Sequence, residues 1–480
     1  MKALLRYLIL LTLFNETAHC QPVAIIRPDG IPLSTADIDR KVTQLMDAAG
    51  VTGLSLGILQ QHIPVYVQAY GYRNKARRLY NDTSTVFYAA SFSKAVFAYL
   101  VMQLVDEGML DLDKPLYRYL PQPLPQYPDY NDLGEDDRWR LITARHCLSH
   151  SSGLLNWRWA NPNGNNKLEM FFLPGERYSY SGEGIQLLQL AVESITGKPL
   201  EDLMQARVFQ PLGMRRSSFL WRLIFEKNHA LPYNEDERPL PRDKRSKAYA
   251  AGSMETTISD YCRFISAVMN GQGISPASFR EMVSMQIPIY NRYQFPPLST
   301  DSTDKNLDIA LSYGLGWGVF RGSYGVSFFK EGHGEGFENY NINFPDKDYA
   351  LVILSNSANA ESIFPELVDE LAGDASIPWE WEGYTRYRPF QKLSDSLLKT
   401  YAGIYQYNDM RATVSISDGH LVIESKQERL LKAGLYAGND SLFFARSADV
   451  EVVFTKSPWG MVNGLRLTIE GALYKMRKIK

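Results

Sequence analysis

The chain has 480 residues and a formal net charge of −2, with 45% hydrophobic and 22% charged residues. This composition is typical of a soluble globular protein, and the length exceeds what one hydrophobic core ordinarily organises, so we expect two or three domains. The chain lacks a basic excess, which argues against nucleic acid as the main partner.

The first twenty residues are typical of an export signal. Lys2 and Arg6 supply positive charge, an apolar run follows over 8–14, and Ala18-His19-Cys20 offers a small-residue cleavage site. The apolar run is too short to span a bilayer, and no later stretch is long and apolar enough. We therefore expect an exported, periplasmic or secreted mature chain without a transmembrane segment. Lipid attachment at Cys20 is the alternative.

The hydrophobic pattern predicts strands, then helices, then strands again. This order is typical of an α+β fold whose single sheet draws strands from both ends of the domain, with a helical region inserted. The interval 115–140 is rich in Pro, Tyr and Asp and predicts a long loop. We expect helices at 35–49, 143–149, 183–196, 199–209 and 258–270, and a short strand followed by a helix within 85–107. We also expect a hairpin at 54–72 and strands at 314–320, 325–331, 337–344 and 349–355.

Beyond Leu393 the sequence reads as strand-like segments only, which predicts a separate small β-barrel or sandwich. We expect these strands at 401–407, 412–416, 420–425, 442–445, 450–455 and 464–468. The predicted organisation is a signal peptide over 1–20, an α+β domain over 21–385 and an all-β, barrel-like domain over 393–480.

The candidate catalytic motif is Ser91-Phe92-Ser93-Lys94, at the start of a predicted helix. A spacing of three residues puts Ser91 and Lys94 on one helical face, a turn apart. A serine hydroxyl needs a base before it attacks, and a buried lysine of lowered pKa can be that base. Alone, the pattern is equally typical of a surface lysine near a helix cap.

Further motifs follow in a characteristic order. Tyr178-Ser179-Tyr180-Ser181-Gly182 comes after Pro174-Gly175, and a Lys-x-Gly strand follows later. With these motifs the chain resembles, over roughly 35–365, the serine β-lactamase and penicillin-binding protein superfamily, closest to its class C-like branch. The resemblance implies a β-lactamase/transpeptidase-like domain, an antiparallel sheet plus a helical region, and an acyl-enzyme formed on Ser91 with Lys94 as the base. It also rests on the segments at 142–154, 211–214 and 250–253.

The resemblance implies a role for Tyr180, which matches the catalytic tyrosine of the family's Tyr-x-Asn motif. A phenol close to Lys94 could relay a proton between Ser91 and the leaving group. The alternative is a tyrosine packed in the core. The family's asparagine falls on Gly182, which has no amide to hold the substrate or Lys94.

The third motif has two possible registers. The family's Lys-Thr-Gly lies six residues before a Gly-Phe pair, and counting back from Gly336-Phe337 reaches Lys330. Lys330 is then the second cation, the His333 backbone N–H is the second oxyanion donor, and Gly332 lets the substrate approach the strand closely. In the rival register His333 itself is the site residue.

Glu331 stands where the family has Thr or Ser. β-Lactams and D-Ala-D-Ala peptides carry a carboxylate beside this motif, and a second carboxylate there would repel it. The sequence therefore favours a neutral ester or amide. In the alternative, Glu331 points out of the pocket, because neighbours on a strand face opposite sides.

Four further patterns favour structural interpretations. Gly53-Leu54-Ser55-Leu56-Gly57 matches a nucleophile elbow, but a hairpin follows it, so we expect Ser55 in a strand. His146 and His150 have a spacing that zinc ligands can have, but no third ligand is evident and structural hydrogen bonds are expected. The charge run 242–245 predicts a solvated loop. Cys147 and Cys262 are expected as buried free thiols, with a disulfide as the alternative.

These observations together favour an exported serine hydrolase acting on a small ester, amide or peptide, without metal or organic cofactor. One alternative is a β-lactamase or D,D-peptidase acting on cell-wall-type substrates. The other is a non-catalytic binding module on the same fold, which the glycine at Gly182 and the carboxylate of Glu331 would fit.

Overall fold

A computed structural model of the chain describes residues 25–373, 375–417, 419–425, 432–446, 448–469 and 472–480. The expected signal peptide and Cys20 lie outside these residues. None of the helices in the described ranges combines the length and apolar character that crossing a bilayer requires. Cys147 and Cys262 are buried free thiols, as expected.

The helices begin and end at sequence signals. In α1, the Ser34 side chain accepts the Asp37 N–H at the N-terminus, and Gly50 adopts a left-handed φ of 68° at the C-terminus. The helices are α1 (Thr35–Ala49), α2 (Phe92–Asp106), α3 (Ala144–Leu148), α4 (Gly182–Thr196), α5 (Leu200–Met204), α6 (Ile258–Met269), α7 (Pro276–Met282), α8 (Phe364–Ala372), α9 (Trp379–Glu382) and α10 (Asp395–Tyr401).

One antiparallel sheet forms the centre of the first part of the chain. The strands of this part are β1 (Ile25–Ile26), β2 (Pro32–Leu33), β3 (Gly53–Gln60), β4 (Ile63–Asn74), β5 (Leu79–Tyr80), β6 (Phe87–Tyr88), β7 (Glu255–Thr256), β8 (Ile287–Pro288), β9 (Ser312–Tyr313), β10 (Gly318–Gly322), β11 (Gly325–Gly334), β12 (Phe337–Phe344) and β13 (Tyr349–Ser355). In the described residues the order of the sheet is β5-β4-β3-β13-β12-β11-β10-β9-β8, so strands from both ends of the region meet at the β3–β13 pair. Strands β1 and β2, and strands β6 and β7, form two separate two-stranded sheets.

The two faces of this sheet bury different cores. One face packs on helices α2 to α7, which lie between β5 and β8 in the sequence, and the other face packs on α1 and α8. Helix α2 lies inside the first core, with residues from Phe92 to Leu104 buried almost without interruption. A helix that is hydrophobic all round belongs in a core, so the only charged side chain near its start, Lys94, is taken into the interior with it.

The last part of the chain is a closed antiparallel barrel. Its strands are β14 (Gly403–Tyr407), β15 (Met410–Ser417), β16 (His420–Ser425), β17 (Lys432–Ala437), β18 (Leu442–Phe444), β19 (Val450–Lys456), β20 (Val462–Ile469) and β21 (Ala472–Lys478), and β21 pairs with β14. The buried Arg446 ties the barrel to the first part by donating to the Ala49 carbonyl at 3.0 Å. The α+β fold class with a C-terminal barrel is therefore confirmed.

Two expectations about segments are wrong, and a third is met only in part. The tail after Leu393 is not purely strand-like, because α10 precedes the barrel and the pattern missed β17 and β21. The interval 115–140 is a series of short 3-10 turns that bury Leu116, Leu124 and Leu133 rather than an open loop. The charge run 242–245 lies in a loop in which Asp243 and Lys244 are exposed, as expected, but the Arg242 side chain is only 4% exposed and forms an ion pair with Glu255. Ser55 lies in β3, as expected.

Candidate active site

Ser91 occupies the first position before α2, where the backbone is strained. The preceding residue, Ala90, has a φ of 47°, which an L-residue with a side chain rarely adopts. Such strain collects at functional sites and persists only where the surroundings enforce it. Ser93, two residues on, fixes this turn by donating to the Ala90 carbonyl at 2.6 Å and accepting the Met254 N–H at 3.0 Å.

The Lys94 amine lies against the Ser91 hydroxyl, as the three-residue spacing predicts. Its Nζ is 3.0 Å from Ser91 Oγ and donates to the Ala251 carbonyl at 2.6 Å. Lys94 is 1% exposed. Burial, with the Lys330 charge, holds the pKa of Lys94 well below its ordinary value, while Glu331 acts in the opposite direction. Burial therefore favours the neutral form of the amine that faces the hydroxyl.

Tyr180 meets Ser91 from the loop that leads into α4. Its hydroxyl hydrogen-bonds the Ser91 side chain and accepts from Lys330 Nζ at 3.2 Å. Burial raises the pKa of Tyr180, while the neighbouring Lys330 charge opposes that shift. The structure thus brings together the three predicted residues Ser91, Lys94 and Tyr180.

His150 holds Tyr180 in place, a function that the sequence alone did not identify. Its Nδ1 accepts the Ser181 N–H at 3.1 Å, and its ring lies 4.1 Å from the Tyr180 ring. Burial, with the Lys94 and Lys330 charges, keeps the pKa of His150 well below its ordinary value. His146 likewise accepts a backbone N–H, that of Thr143, so both histidines make the structural hydrogen bonds that we expected.

Lys330 and Glu331 form a buried ion pair at the end of β11. Lys330 Nζ lies 2.7 Å from Glu331 Oε1, and Gln294 donates to the same oxygen at 2.8 Å. Burial disfavours the charged amine, yet Glu331 and Tyr180 together outweigh it and raise the pKa of Lys330. The two lysines are thus pushed apart in pKa, which is the arrangement that separates a base from a fixed cation.

Glu331 does not point away from the pocket. It is 1% exposed, pairs with Lys330 and contributes to the cleft above Ser91. The alternative of an outward-facing Glu331 is therefore wrong. The carboxylate neutralises the cation that a substrate carboxylate would otherwise meet.

Gly332 permits a close approach, but the approaching group belongs to the protein. A Cβ at Gly332 would lie 2.7 Å from the Ala89 carbonyl oxygen and 3.3 Å from Phe92. The glycine therefore lets β11 pack against the turn that carries Ser91, rather than making room for substrate as we expected. The His333 side chain lines the cleft and lies 2.6 Å from Glu338, so both registers of the third motif place a residue near the site.

Trp157 occupies the space beside Gly182. A Cβ at Gly182 would lie 2.6 Å, 2.7 Å and 2.8 Å from three atoms of the Trp157 ring, so no side chain fits there. The ring centroid is 5.9 Å from Lys94 Nζ. Asn156 accepts the Gly182 N–H at 2.9 Å. The Trp157 ring thus lies where the family has its asparagine side chain. No local pattern in the sequence indicates this, because Trp157 comes from a different loop.

These residues open into one cleft of about 1460 Å³. Its lining comes from residues between Tyr88 and Gly383 and includes Ser91, Trp157 and Glu331. Phe295 packs on the Tyr180 ring at 5.5 Å and covers that side of the site. The cleft is large enough for a peptide-sized or drug-sized substrate.

Among the described residues, His333, Glu338 and Glu361 could hold a metal ion, because their ligand atoms lie within 4.8 Å of one another. We expected no metal, and sequence spacing gave no signal for this group. Burial lowers the pKa of His333, but the Glu338 and Glu331 charges outweigh that effect and raise it. Burial raises the pKa of Glu338, and burial together with the Glu338 charge raises the pKa of Glu361.

Comparisons with known proteins identify the family of this chain. The family model described as Beta-lactamase matches residues 38–372. The chain belongs to the β-lactamase family. Its β-lactamase-family relatives include penicillin-binding protein 4* of Bacillus subtilis, 23% identical over 82% of this chain and 87% of the relative. The D-alanyl-D-alanine-carboxypeptidase/endopeptidase AmpH of Escherichia coli is 24% identical over 71% of this chain and 90% of the relative.

Solved structures show the same β-lactamase-family fold. The octameric penicillin-binding protein homologue from Pyrococcus abyssi has a TM-score of 0.58 at 19% identity, over 93% of this chain and 100% of that chain. The D-alanine carboxypeptidase AmpC from Burkholderia cenocepacia has a TM-score of 0.53 at 20% identity, over 67% of this chain and 93% of that chain. The family match over residues 38–372 confirms the superfamily that the sequence resembles, and these structures share its fold.

Proposed function

We propose that this protein is a serine hydrolase that works through an acyl-enzyme on Ser91. The observation that carries the proposal is a buried amine of lowered pKa, Lys94, whose Nζ lies 3.0 Å from Ser91 Oγ. A neutral lysine can take the hydroxyl proton as the oxygen attacks a carbonyl. A protonated lysine could not.

Tyr180 and Lys330 assist the proton transfer and the charge development that follow. Tyr180 hydrogen-bonds both Ser91 and Lys330, so it can pass the proton from Lys94 towards the leaving group. Lys330 stays charged beside it and favours the developing anion. Water then attacks the acyl-enzyme along the reverse route, which regenerates the free Ser91 hydroxyl.

Two backbone N–H groups are our proposed oxyanion donors. The Ser91 N–H lies at the N-terminus of α2, where the helix dipole favours negative charge. At His333, strand β11 pairs with β12 but no longer with β10, because the β10 pairing ends at Gly318 with Phe329. The edge of β11 that faced β10 is therefore open at His333. The two-residue turn after Gly334 makes Gly334 and Phe337 a hydrogen-bonded pair, so by alternation the His333 N–H points to this open edge.

For the substrate we propose an ester or amide without a carboxylate next to the scissile bond. Lys330 is already paired with Glu331, and Glu331 Oε2 has no partner among the described residues. A substrate carboxylate would meet an anion rather than a free cation. The second candidate is a D,D-peptidase, favoured by relatives that are named D-alanyl-D-alanine carboxypeptidases.

A labelling and turnover assay tests the proposal. We expect a fluorophosphonate to add its mass to wild-type protein and not to a folded Ser91→Ala variant. A short-chain nitrophenyl ester and a chromogenic cephalosporin, assayed side by side, separate an esterase from a β-lactamase. A D-Ala-D-Ala peptide in the same series tests the D,D-peptidase. Folded, unlabelled wild-type protein without turnover would support a binding module instead.

We also propose that the chain is exported, on the sequence of residues 1–20. Expression of the full chain followed by intact mass measurement should give a mature protein that starts near Gln21. A mass increment of diacylglycerol on Cys20 would indicate the lipid-anchored alternative.

A further inference from the structure

The wall of the cleft beside Tyr180 carries more carboxyl groups than cations. Glu331, Glu361 and Glu382 line it, and Glu338 lies behind them. The cations that face this group are Lys330, paired with Glu331 at 2.7 Å, and His333, which lies 2.6 Å from Glu338. Glu361 and Glu382 have no comparably close cation among the residues described.

Two carboxylate oxygens on this wall are buried without a hydrogen-bond partner among the described residues. They are Glu331 Oε2 and Glu382 Oε2. The Glu331 side chain is 2% exposed, and Glu382 as a whole residue is 6% exposed. Their other oxygens are held in place. Glu331 Oε1 accepts from Lys330 and Gln294, and Glu382 Oε1 accepts from Tyr340 at 3.1 Å. A buried carboxylate oxygen with no partner is costly and therefore points to a missing donor.

The charges of these two side chains act on each other. Burial and the nearby Glu331 carboxylate raise the pKa of Glu382 well above its ordinary value, against the smaller opposing effect of Lys330. Lys330 is thus the cation that offsets the negative charge of both Glu331 and Glu382. An arriving cation would supply the second positive charge and the donors that both free oxygens lack.

We propose that Glu331 and Glu382 bind a primary ammonium group of the substrate, so that the enzyme prefers amine-bearing esters or amides. This inference rests on the proposed acyl-enzyme function and names its substrate class. An ammonium has three donors and a compact charge, which suits two neighbouring carboxyl groups that line the same cleft and each have an oxygen without a partner among the described residues. The site lies close to the reacting groups, because Glu331 bonds Lys330 and Lys330 bonds the Tyr180 hydroxyl.

Matched methyl esters test the preference. Alanine methyl ester, in each enantiomer, is compared with methyl isobutyrate, and methyl 4-aminobutanoate with methyl pentanoate, because each pair exchanges an ammonium for a methyl group. The assay is run at about pH 6.5, where the α-amino group is protonated. We expect kcat/KM for at least one ammonium ester to exceed that of its isostere by about tenfold or more, the typical worth of a charged hydrogen bond.

The variant Glu382→Gln should reduce this ratio by about tenfold or more, since glutamine keeps the shape but cannot become the carboxylate that pairs with the ammonium. Glu380→Gln is the matched control. Glu380 lies on the same helix, α9, but is exposed and pairs with Lys305. The control should leave the ratio within about twofold of wild type, as expected of an exposed ion pair.

The same esters are also used as competitors of fluorophosphonate labelling, so that slow turnover does not hide a binding preference. Labelling of Ser91 with no preference for either ammonium ester overturns the inference and leaves the proposed function standing. An equal loss of the ratio in the Glu380→Gln control also overturns it. Absence of Ser91 labelling in wild-type protein contradicts the proposed function, and the inference falls with it.

Discussion

Replacing Gly182 by alanine would push a methyl group into the Trp157 ring. The added Cβ would lie 2.6–2.8 Å from three ring atoms, whereas carbon atoms normally touch at about 3.5–4.0 Å. The ring must therefore move by roughly 1 Å. Overpacking of this kind costs about 1–3 kcal/mol, and the gain from alanine over glycine in a helix returns at most about 1 kcal/mol.

A double-mutant cycle isolates this contact. In a Trp157→Ala background the space is open, so Gly182→Ala should be neutral or stabilising by up to about 1 kcal/mol. We therefore expect a coupling free energy of about 2 kcal/mol between the two positions, within the range that contacting residues show. Urea unfolding followed by fluorescence gives the free energies of unfolding of the four proteins.

Gly134→Ala is the matched control for the cycle. Gly134 has a φ of −58°, and a Cβ there would meet its nearest atom at an ordinary 3.4 Å. Its change should stay within about 0.5 kcal/mol. The contrary results are that Gly182→Ala lowers the free energy of unfolding no more than the control does, or lowers it by the same amount with and without the Trp157 ring. Either result would refute the argument that the Trp157 ring fills the space beside Gly182, where the family has an asparagine side chain.

Three further changes address the groups around Ser91. Tyr180→Phe keeps the ring on His150 and removes the hydroxyl, so kcat for a nitrophenyl ester should fall about 10²–10⁴-fold with little change in Tm; an unchanged kcat would exclude the proton relay. Lys330→Met leaves Glu331 buried without its cation and should cost about 3–5 kcal/mol in thermal unfolding, most of it recovered in Lys330→Met with Glu331→Leu; equal losses in the single and double variants would contradict the pairing argument. His150→Phe removes the acceptor of the Ser181 N–H and should cost about 1–3 kcal/mol in urea unfolding; a smaller cost would mean that this N–H finds another partner.

Local spacing was enough to predict the centre of the site. Ser91 and Lys94 are three residues apart on a helix, so their contact follows from helix geometry alone. The bounds of α1, β12 and β13 also follow from hydrophobic period and capping residues. The contact of Tyr180 with Ser91 required the family resemblance, because the two residues are far apart in the chain.

The remaining features depend on contacts that spacing does not encode. Trp157 fills the position beside Gly182 from a separate loop, and its own neighbours in sequence give no sign of it. Strand alternation allowed an outward Glu331, but these neighbours on β11 form an ion pair, with Lys330 Nζ 2.7 Å from Glu331 Oε1, so alternation alone misled. Helix α10 had a capping signal in Ser394, which accepts the Leu397 N–H, and the strand-like residues around it obscured that signal.

The pH dependence of Ser91 acylation tests the activating role of Lys94 most directly. Its depressed pKa means that the neutral amine, the active form, accumulates as pH rises through a value well below the ordinary 10.5. The second-order rate constant of fluorophosphonate labelling should therefore rise with pH and level off well below pH 10.5, and in a Lys94→Met variant it should fall at least about 10²-fold. A rate that keeps rising up to pH 10.5, or that survives the loss of the amine, would contradict the assignment of Lys94 as the base.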